Sequence, residues 1–222
     1  MSNKPLTFLL IILALGFTSC FEIIEEITLK EDGSGHFEYT LNLSQSRKKL
    51  NSIRQLDTFG NYHIPSEAEL NAEIDRGKRI FMSTKGVHNV KVKRDYENYI
   101  FTINLDFDSV ECLNNALQRT VKLMSGNPLQ FKAAYDWTGS VCSRESDWHS
   151  SGAFADLNRQ NRKIFESSSY VTIVRLPQKV KAMSNANAKI SGNQKAVFLK
   201  TTLLDLVDGN ATLKNDIALK ND

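Results

Sequence analysis

The sequence lacks the long apolar run that a transmembrane helix requires. A spanning helix needs about 20 apolar residues, and the apolar stretch of residues 6–17 is shorter than that. A strong excess of one charge is also missing, because the formal net charge is only +3, which does not favour nucleic acid as a partner. Hydrophobic residues make up 41% and charged residues 24%, so a disordered chain and a multispanning membrane protein are both excluded.

Motifs that mark common enzyme sites are missing as well. The histidines are scattered, at His36, His63, His88 and His149. None occurs in the His-Glu-x-x-His spacing that places two zinc ligands on one helix face. No Gly-rich phosphate loop follows a strand, and no Gly-x-Ser-x-Gly elbow is present. We therefore predict no metal site, no cofactor and no catalytic residue.

One polar stretch, residues 136–152, holds a group that a hydrolase could use. Asp147, His149 and either Ser150 or Ser151 would serve as orienting group, base and nucleophile. Catalytic triads are assembled from distant segments rather than from adjacent residues. We therefore favour a solvated loop over a hydrolase site.

Charged segments elsewhere have simple interpretations. Residues 32–35 and 205–209 offer oxygen ligands, but neither has acidic residues at the alternate positions of a calcium loop, so we interpret both as turns. The basic residues are Arg47, Lys48, Lys49 and Arg54, with Lys91, Lys93 and Arg94 further along. These could approach anionic headgroups if the chain is anchored to a membrane, although a solvated helix face is the simpler interpretation.

Residues 1–19 have the pattern of a secretion signal. A polar start with Lys4 precedes the apolar run, whose length suits the apolar core of a signal peptide. The run ends in Phe-Thr-Ser before Cys20, which resembles the lipobox of bacterial lipoproteins, although Phe17 stands where Leu is usual. The resemblance implies cleavage before Cys20, acyl chains such as palmitate on that cysteine, and a membrane anchor. The alternative is ordinary signal-peptidase cleavage after residues 14–16.

The residues after Cys20 bear on the choice of membrane. Phe21 stands where an aspartate would favour retention in the inner membrane, so we predict the outer membrane. Glu22, Glu25 and Glu26 resemble the acidic export signals of surface lipoproteins, but they equally fit the solvated face of a strand. The sequence leaves the leaflet open.

Two cysteines follow the leader. Cys112 falls on a predicted helix and Cys142 in a polar loop. An exported domain lies in an oxidising compartment, where the two could form a disulfide; the alternative is two free thiols, one of them buried. Trp137 and Trp148 flank Cys142 and predict either an exposed contact surface or a cap on the core.

Two alternating segments predict a β-hairpin at the start of the mature chain. The odd positions of residues 21–29 and 37–43 are apolar, apart from Glu25, as in strands with one buried face. Residues 31–35 between them are turn formers that tolerate positive φ.

Helices are predicted from capping boxes and from 3.6-residue spacing. Ser66 and Glu69 open one helix, and Asp108 and Glu111 open another. A shorter helical pattern covers residues 46–56. Further strands are predicted around residues 90–92, 99–107, 129–135, 170–176 and 196–204.

The element order indicates the fold class. Residues 37–135 follow the strand-helix-strand-strand-helix-strand order of ferredoxin-like folds. We predict an α+β fold, an antiparallel sheet with helices on one face, extended by the N-terminal hairpin strand and by C-terminal strands. Residues 20–222 are expected to form one domain, with a core at 21–135 and a β-rich part at 169–222.

The closing strands carry a family resemblance. Residues 170–177 (Tyr-Val-Thr-Ile-Val-Arg-Leu-Pro), followed by residues 187–191 and 197–199, resemble those of LppM-type domains in bacterial lipoproteins, and the hairpin turn at 32–35 also fits. Gln178 stands where that family usually has glycine. The resemblance covers most of the mature chain and implies an envelope-associated binding or structural role, with no functional residue that carries over.

The sequence thus predicts a lipid-anchored, non-enzymatic envelope lipoprotein that acts as a binding or structural module. An envelope hydrolase and an accessory subunit of an envelope assembly are the alternatives. A hydrolase predicts a deep pocket with convergent polar groups, whereas an accessory subunit predicts a sizeable apolar surface patch. The expected partners are the membrane, through Cys20, and an unidentified protein or lipid.

Overall fold

The computed structural model describes residues 21–54, 58–59, 62–125, 133–145 and 166–220. These ranges contain thirteen strands and four α-helices. The strands are β1 (Glu22–Leu29), β2 (Gly35–Asn42), β3 (Thr58–Phe59), β4 (Tyr62–His63), β5 (Val87–Asp95), β6 (Ile100–Phe107), β7 (Tyr135–Trp137), β8 (Val141–Arg144), β9 (Ser169–Arg175), β10 (Val180–Met183), β11 (Lys189–Ile190), β12 (Ala196–Thr202) and β13 (Asn215–Leu219). The helices are α1 (Arg47–Ile53), α2 (Glu67–Met82), α3 (Val110–Ser125) and α4 (Leu203–Val207).

Two larger sheets organise these strands. The main sheet has seven strands in the order β11-β12-β9-β1-β2-β6-β5, and the second sheet has four in the order β10-β13-β8-β7. Side chains from both sheets and from α2 and α3 meet in one hydrophobic core, so an α+β architecture is observed. Within the described residues, no helix is both long and apolar enough to cross a membrane.

The predicted N-terminal hairpin is present. β1 and β2 pair antiparallel over their full length, from Glu22 opposite Asn42 to Leu29 opposite Gly35. Gly33 in the connecting turn has φ of 80°, a left-handed conformation that glycine adopts at little cost. Burial alternates residue by residue along β1, as the sequence pattern predicts for a half-buried strand.

The two long helices begin at hydroxyl caps. Ser66 and Glu69 form the predicted capping box of α2. At α3 the predicted cap is one residue off, because Ser109 Oγ, rather than Asp108, accepts a hydrogen bond from the Cys112 amide at 3.3 Å. The Asp108 carboxylate instead lies 2.9 Å from His88 Nε2. His88 is 20 positions away in the chain, so the residues next to Asp108 do not predict this pairing.

The predicted ferredoxin-like order is not confirmed. β2, β6 and β5 lie side by side as three strands of a split βαβ unit would, but the fourth position beside β2 is occupied by β1. Of the predicted fourth strand, residues 129–132 lie outside the described residues, and Tyr135 pairs with Arg144 in the second sheet. The main sheet is also mixed rather than antiparallel, since β1 and β9 run parallel.

The C-terminal strands divide between the two sheets. β9 and β12 extend the main sheet, as predicted, together with the short strand β11, whereas β10 and β13 belong to the second sheet. The strand predicted for residues 196–204 ends at Thr202, because its side chain accepts from the Asp205 amide at 3.0 Å and caps α4. A threonine at an N-cap stops a strand pattern that hydrophobicity alone would continue.

Candidate functional site: a buried carboxylate between the two sheets

The core face of β1 carries one charged residue, Glu25. Its neighbours on that face, Ile23 and Ile27, are apolar and buried, and Glu25 itself is only 6% exposed. β1 is the central strand of the main sheet, and Glu25 lies opposite Tyr39 on β2 and Thr172 on β9. An isolated carboxylate in such a place would be strongly unfavourable, so its partners determine what this site can do.

Three donors converge on the Glu25 carboxylate. Tyr135 donates its hydroxyl to Oε1, and Tyr170 donates its hydroxyl to Oε2 at 2.5 Å. Arg144 Nη2 lies 3.2 Å from Oε2 and completes a buried ion pair. We call Glu25, Tyr135, Arg144 and Tyr170 the Glu25 cluster.

The second sheet and α3 position two of these donors. Tyr135 on β7 and Arg144 on β8 are directly paired in register, and the Arg144 guanidinium lies 4.9 Å from the centre of the Tyr135 ring. Asn114 of α3 holds the Tyr135 backbone, accepting from its amide at 3.1 Å and donating to its carbonyl at 2.7 Å. The cluster therefore connects the centre of the main sheet to the second sheet and to α3.

The electrostatics keep the three donors of the cluster in their ordinary charge states. Burial, reinforced by the Glu25 charge, raises the pKa of Tyr135 and of Tyr170 well above the usual tyrosine value. Burial alone would lower the pKa of Arg144, but the Glu25 carboxylate, Tyr135 and Tyr170 together outweigh burial and raise that pKa. Both tyrosines are therefore neutral donors, and the guanidinium stays positively charged.

This arrangement is suited to holding the sheets together rather than to catalysis. A general acid or base must reach a substrate proton, whereas Glu25 and Arg144 are 6% and 7% exposed and engage one another. A buried ion pair contributes little net stability compared with apolar packing, but losing one partner is costly. We interpret the Glu25 cluster as a device that specifies how the two sheets pair.

The two cysteines after the leader are both free thiols in the structure. Cys112 on α3 is partly exposed, and Ser109 Oγ lies 3.3 Å from its sulfur. Cys142 on β8 is 1% exposed, and burial raises the pKa of its thiol to about 12. No disulfide joins Cys112 and Cys142 in this structure.

Two histidines of the main sheet form pairs with carboxylates. His36 Nδ1 lies 2.7 Å from Asp106 Oδ1, and His88 Nε2 lies 2.9 Å from Asp108 Oδ1. The side chain of His63 and the whole of His149 lie outside the described residues. No cluster that could hold a metal ion occurs among the residues that the structure describes.

The residues considered for a hydrolase lie outside the described ranges. They are Asp147, His149, Ser150 and Ser151, and the structure does not describe residues 146–165, which also contain Trp148. Cys20 is also outside them. A shallow, open depression does occur in the described part of the chain, lined by Leu29, Lys30, Glu31, Asp32 and Pro177.

Residues 32–35 form a local turn, as predicted, whereas the turn prediction for residues 205–209 is wrong in part, because Asp205 lies in α4 and a turn follows only at Asp208 and Gly209. Asp32 Oδ1 accepts from the amide of Ser34 at 3.0 Å and from its hydroxyl at 2.7 Å. Asp205 accepts from the Thr202 hydroxyl at 2.6 Å. Trp137 is half-buried and packs against the core, next to Gly33 of the hairpin turn, so it caps the core.

Several of the basic residues singled out in the sequence have described partners. Arg54 pairs with Glu67, and Arg94 pairs with Asp75. Arg47 donates to the side-chain amide of Asn98 at 3.3 Å.

Comparison with known proteins finds one solved structure. No protein-family model matches the chain, and no curated protein matches its sequence. The solved structure is the NMR structure of the folded domain of LppM from Mycobacterium tuberculosis, with 12% sequence identity and a TM-score of 0.43, over 94% of this chain and 95% of that chain. At this level of similarity no site or activity is assigned to the present chain.

Proposed function

We propose that this chain is a lipid-anchored lipoprotein of the cell envelope, acylated on Cys20, whose domain is a non-enzymatic binding or structural module. The observation that carries the proposal is that the residue directly after Cys20 is hydrogen-bonded into the folded domain. Phe21, one residue after Cys20, already donates its amide to Ser168 Oγ at 3.3 Å and accepts from the Ser169 amide at 3.0 Å. Cleavage before Cys20 would leave these contacts between Phe21 and the start of β9 intact.

A cysteine at this position would hold the domain close to the bilayer. Glu22 starts the central strand of the main sheet, and each extended residue spans at most about 3.6 Å. Stable anchoring by acyl chains requires more than one chain, which the diacylated cysteine of a lipoprotein supplies. The anchored module would then meet partners within reach of the membrane surface, and we propose the outer membrane as its location.

The internal position of the Glu25 cluster supports a module rather than an enzyme. Its charged and hydroxyl groups are directed at one another inside the core, so they hold the sheets in place. No observation among the described residues favours the envelope hydrolase.

Fractionation of cells that express a Cys20→Ser variant tests the anchor. We expect the wild-type protein in the membrane fraction with acyl mass, and the variant unacylated and released from that fraction or left as the uncut precursor. A Cys112→Ser variant is the matched control, because it removes a thiol from the folded domain and should fractionate like wild type. Processing and membrane attachment of Cys20→Ser at the wild-type level would overturn the proposal.

A further inference from the structure

One residue of the turn between β5 and β6 has an unusual backbone conformation. Tyr99 has φ of 56°, in the left-handed region that glycine and asparagine adopt readily and that a bulky residue disfavours. The cost corresponds to roughly a 5- to 30-fold loss of population. A residue keeps such a conformation only where its surroundings over-determine it, so the contacts of Tyr99 should show what holds it there.

These contacts join Tyr99 to both ends of the segment that contains α1. Its side chain is 5% exposed, and its hydroxyl donates to Asn51 Oδ1 at 2.6 Å. Arg54, the C-cap residue of α1, donates from Nη1 to the same hydroxyl at 3.3 Å, and its guanidinium lies 5.8 Å from the centre of the Tyr99 ring. Before α1, the Leu43 amide donates to the Tyr99 carbonyl at 2.9 Å. One strained residue therefore fastens residues 43–54 to the turn.

α1 depends on such contacts because it is short and lies at the surface. It has seven residues, fewer than the about 12 to 15 below which an isolated helix is marginal in water. None of its described side chains is fully buried, and four of them are exposed, namely those of Arg47, Lys48, Asn51 and Ser52. The hydrogen bonds to Tyr99 should therefore contribute a large share of what keeps α1 in place.

A second tyrosine of the same turn makes the corresponding contact with α2. Tyr96 donates its hydroxyl to Asn71 Oδ1 at 2.9 Å, and Asn71 lies in α2. Tyr96 does not have a positive φ, and α2 also buries Phe81 in the core. The turn thus contacts each helix through one tyrosine hydroxyl, but α2 has apolar packing that the described side chains of α1 lack.

We propose that Tyr99 is a latch that holds residues 43–54 against the β5–β6 turn, and that this segment opens as a unit while the two larger sheets stay folded. Local opening has a free energy set by the contacts that the opening unit loses. Here those contacts include hydrogen bonds of the exposed Asn51 and Arg54 side chains, which water can replace, and the strain at Tyr99 is relieved when they break. Opening would bring the buried Tyr99 ring to the surface. The inference goes beyond the proposed function and does not depend on the lipid anchor.

Hydrogen exchange of residues 47–54 tests the latch. The full-length protein, purified in detergent, is compared with the variant Tyr99→Phe, which keeps the ring and removes the hydroxyl, and peptides are analysed by mass spectrometry. We expect exchange in this segment to be about 3- to 10-fold faster in the variant, because losing one hydrogen bond shifts an opening equilibrium by that factor. Exchange of β1, at the centre of the main sheet, should stay at the wild-type rate.

Tyr96→Phe is the matched control. It removes a hydroxyl from the same turn, but one whose partner lies on α2, so exchange of residues 47–54 should not change.

Asn51→Ser tests the same hydrogen bond from the side of α1. Asn51 is exposed, and serine has a similar helix propensity but a shorter side chain, so this variant should fold even if Tyr99→Phe does not. It should accelerate exchange of residues 47–54 by a similar factor. The double variant should be accelerated by less than the product of the two single factors, because both changes break one hydrogen bond.

Three results would overturn the proposal. Equal acceleration of residues 47–54 and of β1 in Tyr99→Phe would mean that the segment opens only with the whole fold. Wild-type exchange of the segment in Tyr99→Phe and in Asn51→Ser would mean that the hydroxyl does not hold α1. Acceleration by Tyr96→Phe as large as that by Tyr99→Phe would mean that any loosening of the turn releases the segment.

Discussion

Replacing Glu25 by Gln should destabilise the protein far more than the same change at a surface glutamate. The substitution keeps the size of the side chain but removes its charge, so the buried Arg144 guanidinium loses its counter-ion. It also leaves two tyrosine hydroxyls to share one remaining acceptor oxygen. Each loss occurs where water is largely excluded, because Glu25 is 6% and Arg144 7% exposed.

The expected cost is about 3 to 5 kcal/mol, the usual range for breaking a buried pair by removing one partner. This is a large fraction of the roughly 5 to 15 kcal/mol by which a domain is stable. Glu22 on the same strand provides the comparison, since its pair with Lys200 is largely exposed on the lysine side. Surface pairs contribute about 0 to 1 kcal/mol, so Glu22→Gln should be nearly neutral.

Urea unfolding followed by circular dichroism measures these differences. The double variant Glu25→Gln with Arg144→Met should lose less than the sum of the two single variants, by about 1 to 3 kcal/mol, because the groups contact one another. The reasoning is refuted if Glu25→Gln unfolds within about 1 kcal/mol of Glu22→Gln. Strictly additive losses in the double variant would also refute it.

Three further predictions follow from individual side chains. Gly77→Ala should stabilise α2 by about 0.5 to 1 kcal/mol, because nothing lies within 4 Å of the new Cβ. Gly35→Ala should instead destabilise the fold severalfold more strongly than that, or prevent folding, because its Cβ would collide with the Thr28 carbonyl. Thermal melts of both variants check these two predictions. In the folded protein a thiol reagent should modify Cys112 and spare Cys142, whose buried thiol has a pKa of about 12, and peptide mapping that finds Cys142 modified first would contradict it. The hydrogen bond from His36 lowers the pKa of Asp106. This carboxylate therefore stabilises the fold above its unfolded pKa, and that contribution is lost as the pH falls through its lowered folded pKa. NMR titration should show a higher pKa for Asp106 in His36→Ala, and an unchanged pKa would count against this prediction.

The sequence predicts correctly the elements whose hydrogen-bonded residues are close together in the chain. The β1–β2 hairpin depends on an alternation and a turn within about twenty residues, and it is observed with Gly33 at positive φ. The capping box at Ser66 and Glu69 spans four residues and is also observed. In both cases the hydrogen bonds that form the element are made between neighbours in the chain.

Long-range pairing could not be predicted in the same way. β1 pairs with β9, and Phe21 bonds to Ser169, 148 positions along the chain. Alternating hydrophobicity shows that a strand has a buried face, but both edges of the strand look the same in sequence. The alternation therefore predicts neither the central position of β1 in the main sheet nor the place of Tyr135 in the second sheet.

The candidate site was visible in the sequence only as an irregularity. Glu25 interrupts an otherwise apolar face, which indicates a buried charge in need of a partner. Arg144 lies 119 positions away in a segment that reads as a polar loop, and Tyr170 lies in a strand that is apolar on both faces. A buried carboxylate can be suspected from one strand, but its partners follow only from the fold.

The mass of the N-terminal peptide of the mature protein tests the central claim most directly. The protein is extracted from the membrane fraction, digested, and its first peptide is measured by mass spectrometry. We predict a peptide that begins at Cys20 and carries the mass of a diacylglyceryl group. A peptide that begins after Gly16, with Cys20 unmodified, would contradict the account.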